Sequence, residues 1–283
     1  MKSSYLKWAL AAVVTGMVVA LFDALFLEKY FFQIRRFVIG KKNSSKKIKI
    51  LLLADLHFKK RFTAFHRRLV KTINKIHPDV IFVSGDIIDE TGEPQPAKLF
   101  FNSLTPSIPI LAIPGNHDVK NKVSRGRLKK IVEQFNGHLL INETKQINIG
   151  DAKLTVTGLD DFIESDGCFA DAVRHVNKEE HHFLLVHSPL QHEAVLKEIQ
   201  AMNKKRAPNE QLNIQYIFAG HLHGGQVRLM NFTPMLPEQS GKYLRGWYKD
   251  ESPHLYVSRG FGTTHLPFRF GARAEITLFE YGV

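Results

Sequence analysis

From Lys47 onward, short runs of apolar, often β-branched residues stop abruptly at a cluster of Gly, Asp, Asn or His. Ile48 to Ala54 runs into Asp55-Leu56-His57, Val80 to Ser84 into Gly85-Asp86, and Ile110 to Pro114 into Gly115-Asn116-His117-Asp118. Phe183 to Val186 reaches His187, and Tyr216 to Ala219 reaches Gly220-His221-Leu222-His223-Gly224-Gly225. Short continuous apolar runs of this kind suit strands buried on both faces. The polar residues at their carboxyl ends stand where open α/β sheets place ligands. Helical periods separate the runs. Phe62, Phe65, Leu69, Ile73 and Ile76 repeat on one helix face that should stop before Pro78. Leu128, Ile131, Val132 and Phe135 mark another, with Ser124 as N-cap and Gly137 after its end. Strands alternating with helices predict a layered α/β domain. Leu139 to Ile141, Leu154 to Leu159, Leu255 to Ser258 and Ile276 to Phe279 lack long intervening helices and predict extra, partly antiparallel strands.

Any one of these clusters is ordinary, since Gly-Asp and Gly-Asn are common turns and a lone His at a strand end is usually structural. Their combination is not. Asp55 and His57 are two apart on an extended segment, as are His221 and His223, so each pair can aim both side chains to one side. Glycine directly before Asp86, Asn116 and His221 permits tight turns and close backbone approach. Asp55, His57, Asp86, Asn116, His187, His221 and His223 together supply ligands for two divalent metal ions if one carboxylate bridges. Mixed imidazole and carboxylate donors favour Mn, with Fe and Zn as alternatives, over Ca or Mg. Two such ions about 3.5–4 Å apart activate water and clamp a phosphoryl group for in-line attack.

The N-terminus is of a different kind. Trp8 to Phe22 is apolar or small except for Thr15, and Ala24 to Leu27 continues the run past Asp23. That length suffices to cross a bilayer core as a helix. A secretory signal is the competing reading, supported by Lys2 and Lys7 but opposed by the lack of a clean A-x-A cleavage site. The net charge is +12. Between Glu28 and Asp55 no acidic residue interrupts Lys29, Arg35, Arg36, Lys41, Lys42, Lys46, Lys47 and Lys49. A basic cluster beside an apolar span reads as contact with anionic headgroups, and its position after the span places the rest of the chain in the cytoplasm. The chain then divides into a membrane anchor over 1–30, a basic linker over 31–47 and one folded domain over 48–283. Membrane lipids are the expected partners; the sequence implies no protein partner. Polynucleotide binding is not expected, because the charge gathers at the anchor and no nucleic-acid motif occurs. The single cysteine, Cys168, excludes an intrachain disulfide.

In order, Asp-x-His, Gly-Asp-x-x-Asp, Gly-Asn-His-Asp, a lone His and Gly-His-x-His resemble the calcineurin-like metallophosphoesterase superfamily over residues 48 to 226. Gly224-Gly225-Gln226, Val257 to Gly262 and Gly271 to Ile276 resemble its bacterial branch related to YkuE and YaeI. That branch is similar to LpxG, a UDP-2,3-diacylglucosamine pyrophosphatase of lipid A synthesis. The resemblance implies a four-layer αββα sandwich behind the N-terminal transmembrane helix. It implies one metal on Asp55, His57 and His223, the other on Asn116, His187 and His221, and Asp86 bridging. His117 would protonate or stabilise the leaving group, with Asp89 orienting its imidazole. Asp118 reads as a turn or supporting residue. The implied activity is metal-dependent hydrolysis of a phosphodiester or pyrophosphate, on a phosphorylated, lipid-linked nucleotide substrate. A nuclease or cyclic-nucleotide phosphodiesterase, and a metal-free adaptor, are the alternatives. Arg259, Arg269 and Arg273 are candidates for pairing with substrate phosphates.

Overall fold

The computed structural model describes residues 2–121, 125–229, 232–234, 236–237 and 240–283. Two six-stranded sheets form the centre. The strands are β1 (Gln33–Gly40), β2 (Lys47–Leu53), β3 (Val80–Ser84), β4 (Ile110–Ile113), β5 (Gly137–Leu139), β6 (Glu143–Ile149), β7 (Ala152–Gly158), β8 (His182–Leu185), β9 (Ile214–Ala219), β10 (Gly246–Tyr248), β11 (His254–Val257) and β12 (Glu275–Gly282). One sheet runs β1-β12-β2-β3-β4-β5 and the other β10-β11-β9-β8-β7-β6. Apolar residues alternate along each inner strand between two cores. In β2, Ile50 and Leu52 face the opposite sheet, where they meet Phe183, Phe218 and Tyr256. Leu51 and Leu53 face outward into a second core.

The helices are α1 (Lys2–Phe22), α2 (Glu28–Tyr30), α3 (Ala64–Ile76), α4 (Pro94–Asn102), α5 (Asn116–Lys120), α6 (Arg125–Glu133), α7 (Phe169–Ala172) and α8 (Gln191–Asn203). Helices α3, α4 and α6 cover the first sheet through Leu69, Ile73, Phe100 and Leu128. Phe169 of α7 and Val195 and Ile199 of α8 cover the second sheet. The layers are therefore helix, sheet, sheet, helix, as expected. Helix α3 shows why its boundaries fall where they do. The Thr63 N–H donates to His66 Nδ1 at 3.0 Å, capping the start, and His77 turns left-handed directly before Pro78. Ser124, the expected N-cap of α6, lies outside the described residues.

Strands β2, β3 and β4 are mutually parallel, as are β7, β8, β9 and β11. Their carboxyl ends consequently collect at one edge of the sandwich. The extra strands are partly antiparallel: β12 against β2, β6 against β7, and β10 against β11.

The segment 31–47 holds more than a linker. Gln33–Gly40 forms β1, an edge strand parallel to β12. Phe37 and Ile39 face the inter-sheet core, and Arg36 stays exposed on the rim, where charge protects an open strand edge. The apolar N-terminus is helical: Lys7–Leu27, with mean hydropathy 2.3, is long and apolar enough to cross a membrane. A π-helical turn, Asp23–Leu27, links α1 to α2.

Candidate metal centre

Asp55 and His57 leave β2, Asp86 leaves β3, Asn116 and His117 open α5 after β4, His187 leaves β8, and His221 and His223 leave β9. All lie buried at the shared strand edge. Asp55, His57, Asp86, His221 and His223 have positive φ, between 44° and 72°. Each such non-glycine backbone costs on the order of 1–3 kcal/mol, so a run of them marks a site whose geometry the rest of the fold imposes. Glycine is required beside them. Gly85 sits at φ +89°, and a side chain there would strike the His187 imidazole; one at Gly115 would strike the Asp86 carboxylate.

The ligand atoms converge in two groups that share Asp86. The donor atoms of Asp55, His57, Asp86 and His223 all lie within 4.8 Å of one another, as do those of Asp86, His187 and His221. Asp86 Oδ2 is 3.3 Å from His57 Nε2 and 3.4 Å from His187 Nε2, between the groups. His57 Nε2 faces His223 Nε2 at 3.0 Å. Asn116 Oδ1 lies 2.9 Å from His187 Nε2 and 3.1 Å from His221 Nδ1. Asp55 Oδ1 accepts the His221 N–H at 2.8 Å, leaving its buried Oδ2 without a hydrogen-bond partner. Lone pairs aimed at common points and an orphaned carboxylate oxygen suit cations.

The electrostatics agree. Burial opposes charge on His187, yet Asp86 and Asp55 raise its pKa to about 10. Burial, reinforced by the charge on Asp86, lifts Asp55 to about 6. Burial also works against Asp86, but His187 and His57 hold it well below the usual carboxylate range. His223 goes the other way: burial, with the positive charges of His57 and Arg269, holds its pKa well below the ordinary imidazole value.

Residues 48–225 match the family model described as calcineurin-like phosphoesterase. The chain belongs to the calcineurin-like phosphoesterase family. It is 31% identical over 237 residues to the uncharacterized metallophosphoesterase YkuE of Bacillus subtilis, covering 82% of this chain and 78% of YkuE. The uncharacterized protein YpbG of the same organism is 25% identical over 242 residues, with 84% and 83% covered. A Bos taurus transmembrane protein with metallophosphoesterase domain is 27% identical over 253 residues, which span 83% of this chain and 53% of that protein.

In this phosphoesterase a cleft of about 610 Å³ opens over the metal ligands, lined among others by Asp86, Asn116, His117, His221, His223 and Thr264. The ring of His117 stands edge-on to His57, centroids 4.6 Å apart. Its Nδ1 accepts the Glu90 N–H at 3.4 Å, so the neutral ring carries its proton on Nε2, 3.4 Å from Thr264 Oγ1. Burial lowers its pKa below the ordinary imidazole value, against the opposing charges of Asp86, Asp89 and Glu90.

Asp89 departs from the sequence expectation. It does not hydrogen-bond His117; its Oδ1 accepts Thr91 N–H at 3.1 Å and Thr91 Oγ1 at 2.7 Å, and its Oδ2 lies 3.4 Å from His57 Nδ1. The local turn folds the carboxylate back, leaving the Glu90 backbone to hold His117. Burial disfavours the Asp89 charge, but His57 and the Thr91 hydrogen bonds keep its pKa well below the ordinary value. Asp118 is a supporting residue: it accepts backbone N–H groups of Ile87, Ile88 and Gly115, tying two ligand loops together.

None of the three arginines lines the cleft. Arg269 is fully buried and donates to the carbonyls of Gly262, Arg259, Ala272 and His223, which leaves it no access to a substrate phosphate. Arg259 Nε lies 3.3 Å from Glu275, and Arg273 lies 3.9 Å from Asp23. One acidic residue escaped the sequence reading. Asp161 is buried after β7, accepts Ile163 and Glu164 N–H groups, and exerts a charge effect on His187. The signal was present: β7 ends in Gly158-Leu159-Asp160-Asp161, another apolar run stopping at carboxylates.

Proposed function

We propose that the chain is a two-metal phosphoesterase that hydrolyses a phosphodiester or pyrophosphate bond of an amphiphilic substrate at a membrane surface. The observation that carries the reading is Asp86 Oδ2 standing between His57 and His187, the placement a bridging carboxylate needs. Asp55, His57 and His223 would complete one cation site, and Asn116, His187 and His221 the other. Two divalent cations, Mn before Fe or Zn, would supply positive charge to the phosphoryl oxygens and lower the pKa of an attacking water. His117 would donate from Nε2 toward the leaving oxygen, held in that tautomer by the Glu90 N–H.

The N-terminal helix supports a membrane location, with the domain on the cytoplasmic side where the basic segment lies. Glu28 is buried against the domain, so residues at the helix end belong to the fold, which favours an uncleaved anchor over a removed signal. A nucleotide-linked diacyl sugar such as UDP-2,3-diacylglucosamine is the first substrate to try, on resemblance alone. The test is hydrolysis of bis-p-nitrophenyl phosphate by the purified full chain with Mn²⁺, followed by lipid analysis of depleted cells. A purified chain that neither retains metal nor turns over the ester would favour the metal-free adaptor alternative.

A further inference from the structure

The apolar span ends inside a contact with the catalytic domain. Ala24 lies within Lys7–Leu27 and is buried, and its carbonyl accepts the Arg269 N–H at 3.3 Å. One turn later the Glu28 carboxylate accepts Gly271 N–H at 2.8 Å and Ala272 N–H at 3.1 Å, and its carbonyl accepts Ala274 N–H at 3.3 Å. The 269–274 loop is thus clamped to the last turn of the span. At a rise of about 1.5 Å per residue, Ala24 sits only about 4–5 Å inside the end of the span at Leu27. With the span in a bilayer, this loop lies at the boundary of hydrocarbon and headgroups.

The same loop carries one rim of the cleft. Phe270 pairs with Val227, donates to Gln226 O at 2.9 Å and accepts Arg228 N–H at 2.7 Å. Beyond it Leu229 and Phe232 exchange backbone hydrogen bonds at 2.9 and 3.0 Å, presenting two side chains that are 63% and 67% exposed. Leu236 is 48% exposed and lines the cleft mouth with Val227 and Leu266. Large apolar side chains grouped on one exposed rim call for an apolar partner. Continuity with the anchor loop says which.

We propose that the rim of Leu229, Phe232 and Leu236 is a membrane-contacting surface, seated in the interfacial layer of the bilayer the N-terminal helix crosses, so that the metal-site cleft opens onto lipid. The inference rests on reading that helix as a membrane span, and it specifies how an amphiphilic substrate reaches the site: headgroup into the cleft, acyl chains remaining among lipid. Apolar side chains at this depth add binding energy without spanning.

The test uses the full chain in vesicles of phosphatidylethanolamine and phosphatidylglycerol. In a Cys168→Ser background, Phe232→Cys carries an environment-sensitive fluorophore, and Lys205→Cys serves as reference. Lys205 follows α8 near the start of β9, at the edge opposite the metal ligands. The label at 232 is expected to emit at shorter wavelength than at 205 and to be quenched about twofold or more by lipid carrying a shallow nitroxide. Water-like emission and no quenching at 232, in chains that co-float with the vesicles, overturns the proposal. A blue shift that follows protein concentration and ignores the nitroxide assigns the rim to a second copy and overturns it equally. No turnover is needed, so a quenched rim in a chain that fails to cleave bis-p-nitrophenyl phosphate would remove the catalytic reading and leave the membrane surface standing.

Discussion

Arg269 Nη2 lies 3.1 Å from His223 Nδ1, joining a fully buried guanidinium to an imidazole of the metal centre. The same guanidinium holds the carbonyls of Gly262, Arg259 and Ala272 in place. Arg269 thereby fastens the loops around the site to one another. Arg269→Ala is expected to cost about 3 kcal/mol or more, because several buried carbonyls lose their donors. Arg269→Lys keeps the charge but loses the planar fork, so it should fold and retain less metal. Denaturant melts and elemental analysis check both; full metal content in the lysine variant would contradict the fastening role.

His117 touches the cleft without belonging to either ligand group around Asp86. His117→Ala is expected to lower kcat by about 10²–10³-fold, the usual worth of a positioned proton donor, while metal content stays at the parent level. Steady-state kinetics beside elemental analysis make the distinction. Metal lost in proportion to rate would show that the ring is a ligand or a prop.

Where the N-terminus is cut should matter. Glu28 accepts two N–H groups of the 271–272 backbone, so a chain lacking residues 1–22 keeps this clamp and one lacking 1–30 loses it. The shorter deletion is expected to melt like the parent domain, and the longer one to lose about 1–3 kcal/mol. Equal melting of the two would mean the helix end is only a tether.

His182 gives a pH dependence apart from the metal ligands. Its Nε2 lies 2.8 Å from Thr157 Oγ1 on the face of the second sheet that α7 and α8 cover, and burial lowers its pKa from 6.5 to about 4. The unfolded chain therefore takes up this proton at higher pH than the folded one. The contribution is fully present above pH 6.5 and is lost as pH falls toward 4, by about 3 kcal/mol in all. With chelator present throughout, His182→Gln should flatten the difference in unfolding free energy between pH 7 and pH 4. An unchanged slope would contradict the assignment.

Most of the sandwich was readable because buried parallel strands write themselves as unbroken apolar runs, and their ligands come directly after them in sequence. Asp55, Asp86, Asn116, His187 and His221 were found that way, each at the end of its own strand. Strand β1 was hidden. Of its residues only Ile39 is buried, and its partner β12 lies near the far end of the chain, so neither pattern nor proximity announces the pairing. Arg269 and Asp89 show another limit. Composition says that an arginine or aspartate is present, but which way a loop folds it depends on contacts made from elsewhere: Ala24 and Glu28 fix the loop of Arg269, and Thr91 turns Asp89 inward. Asp161 required only the strand-end rule already in use, applied once more after β7.

The central claim is that Asp86 is shared by two cation sites. Elemental analysis of the purified full chain, paired with Asp86→Asn, tests it most directly. Two divalent ions per parent chain and loss of both in the variant are expected, with hydrolysis of bis-p-nitrophenyl phosphate falling to background. A single ion in the parent, or a variant that keeps its full complement, would contradict the claim.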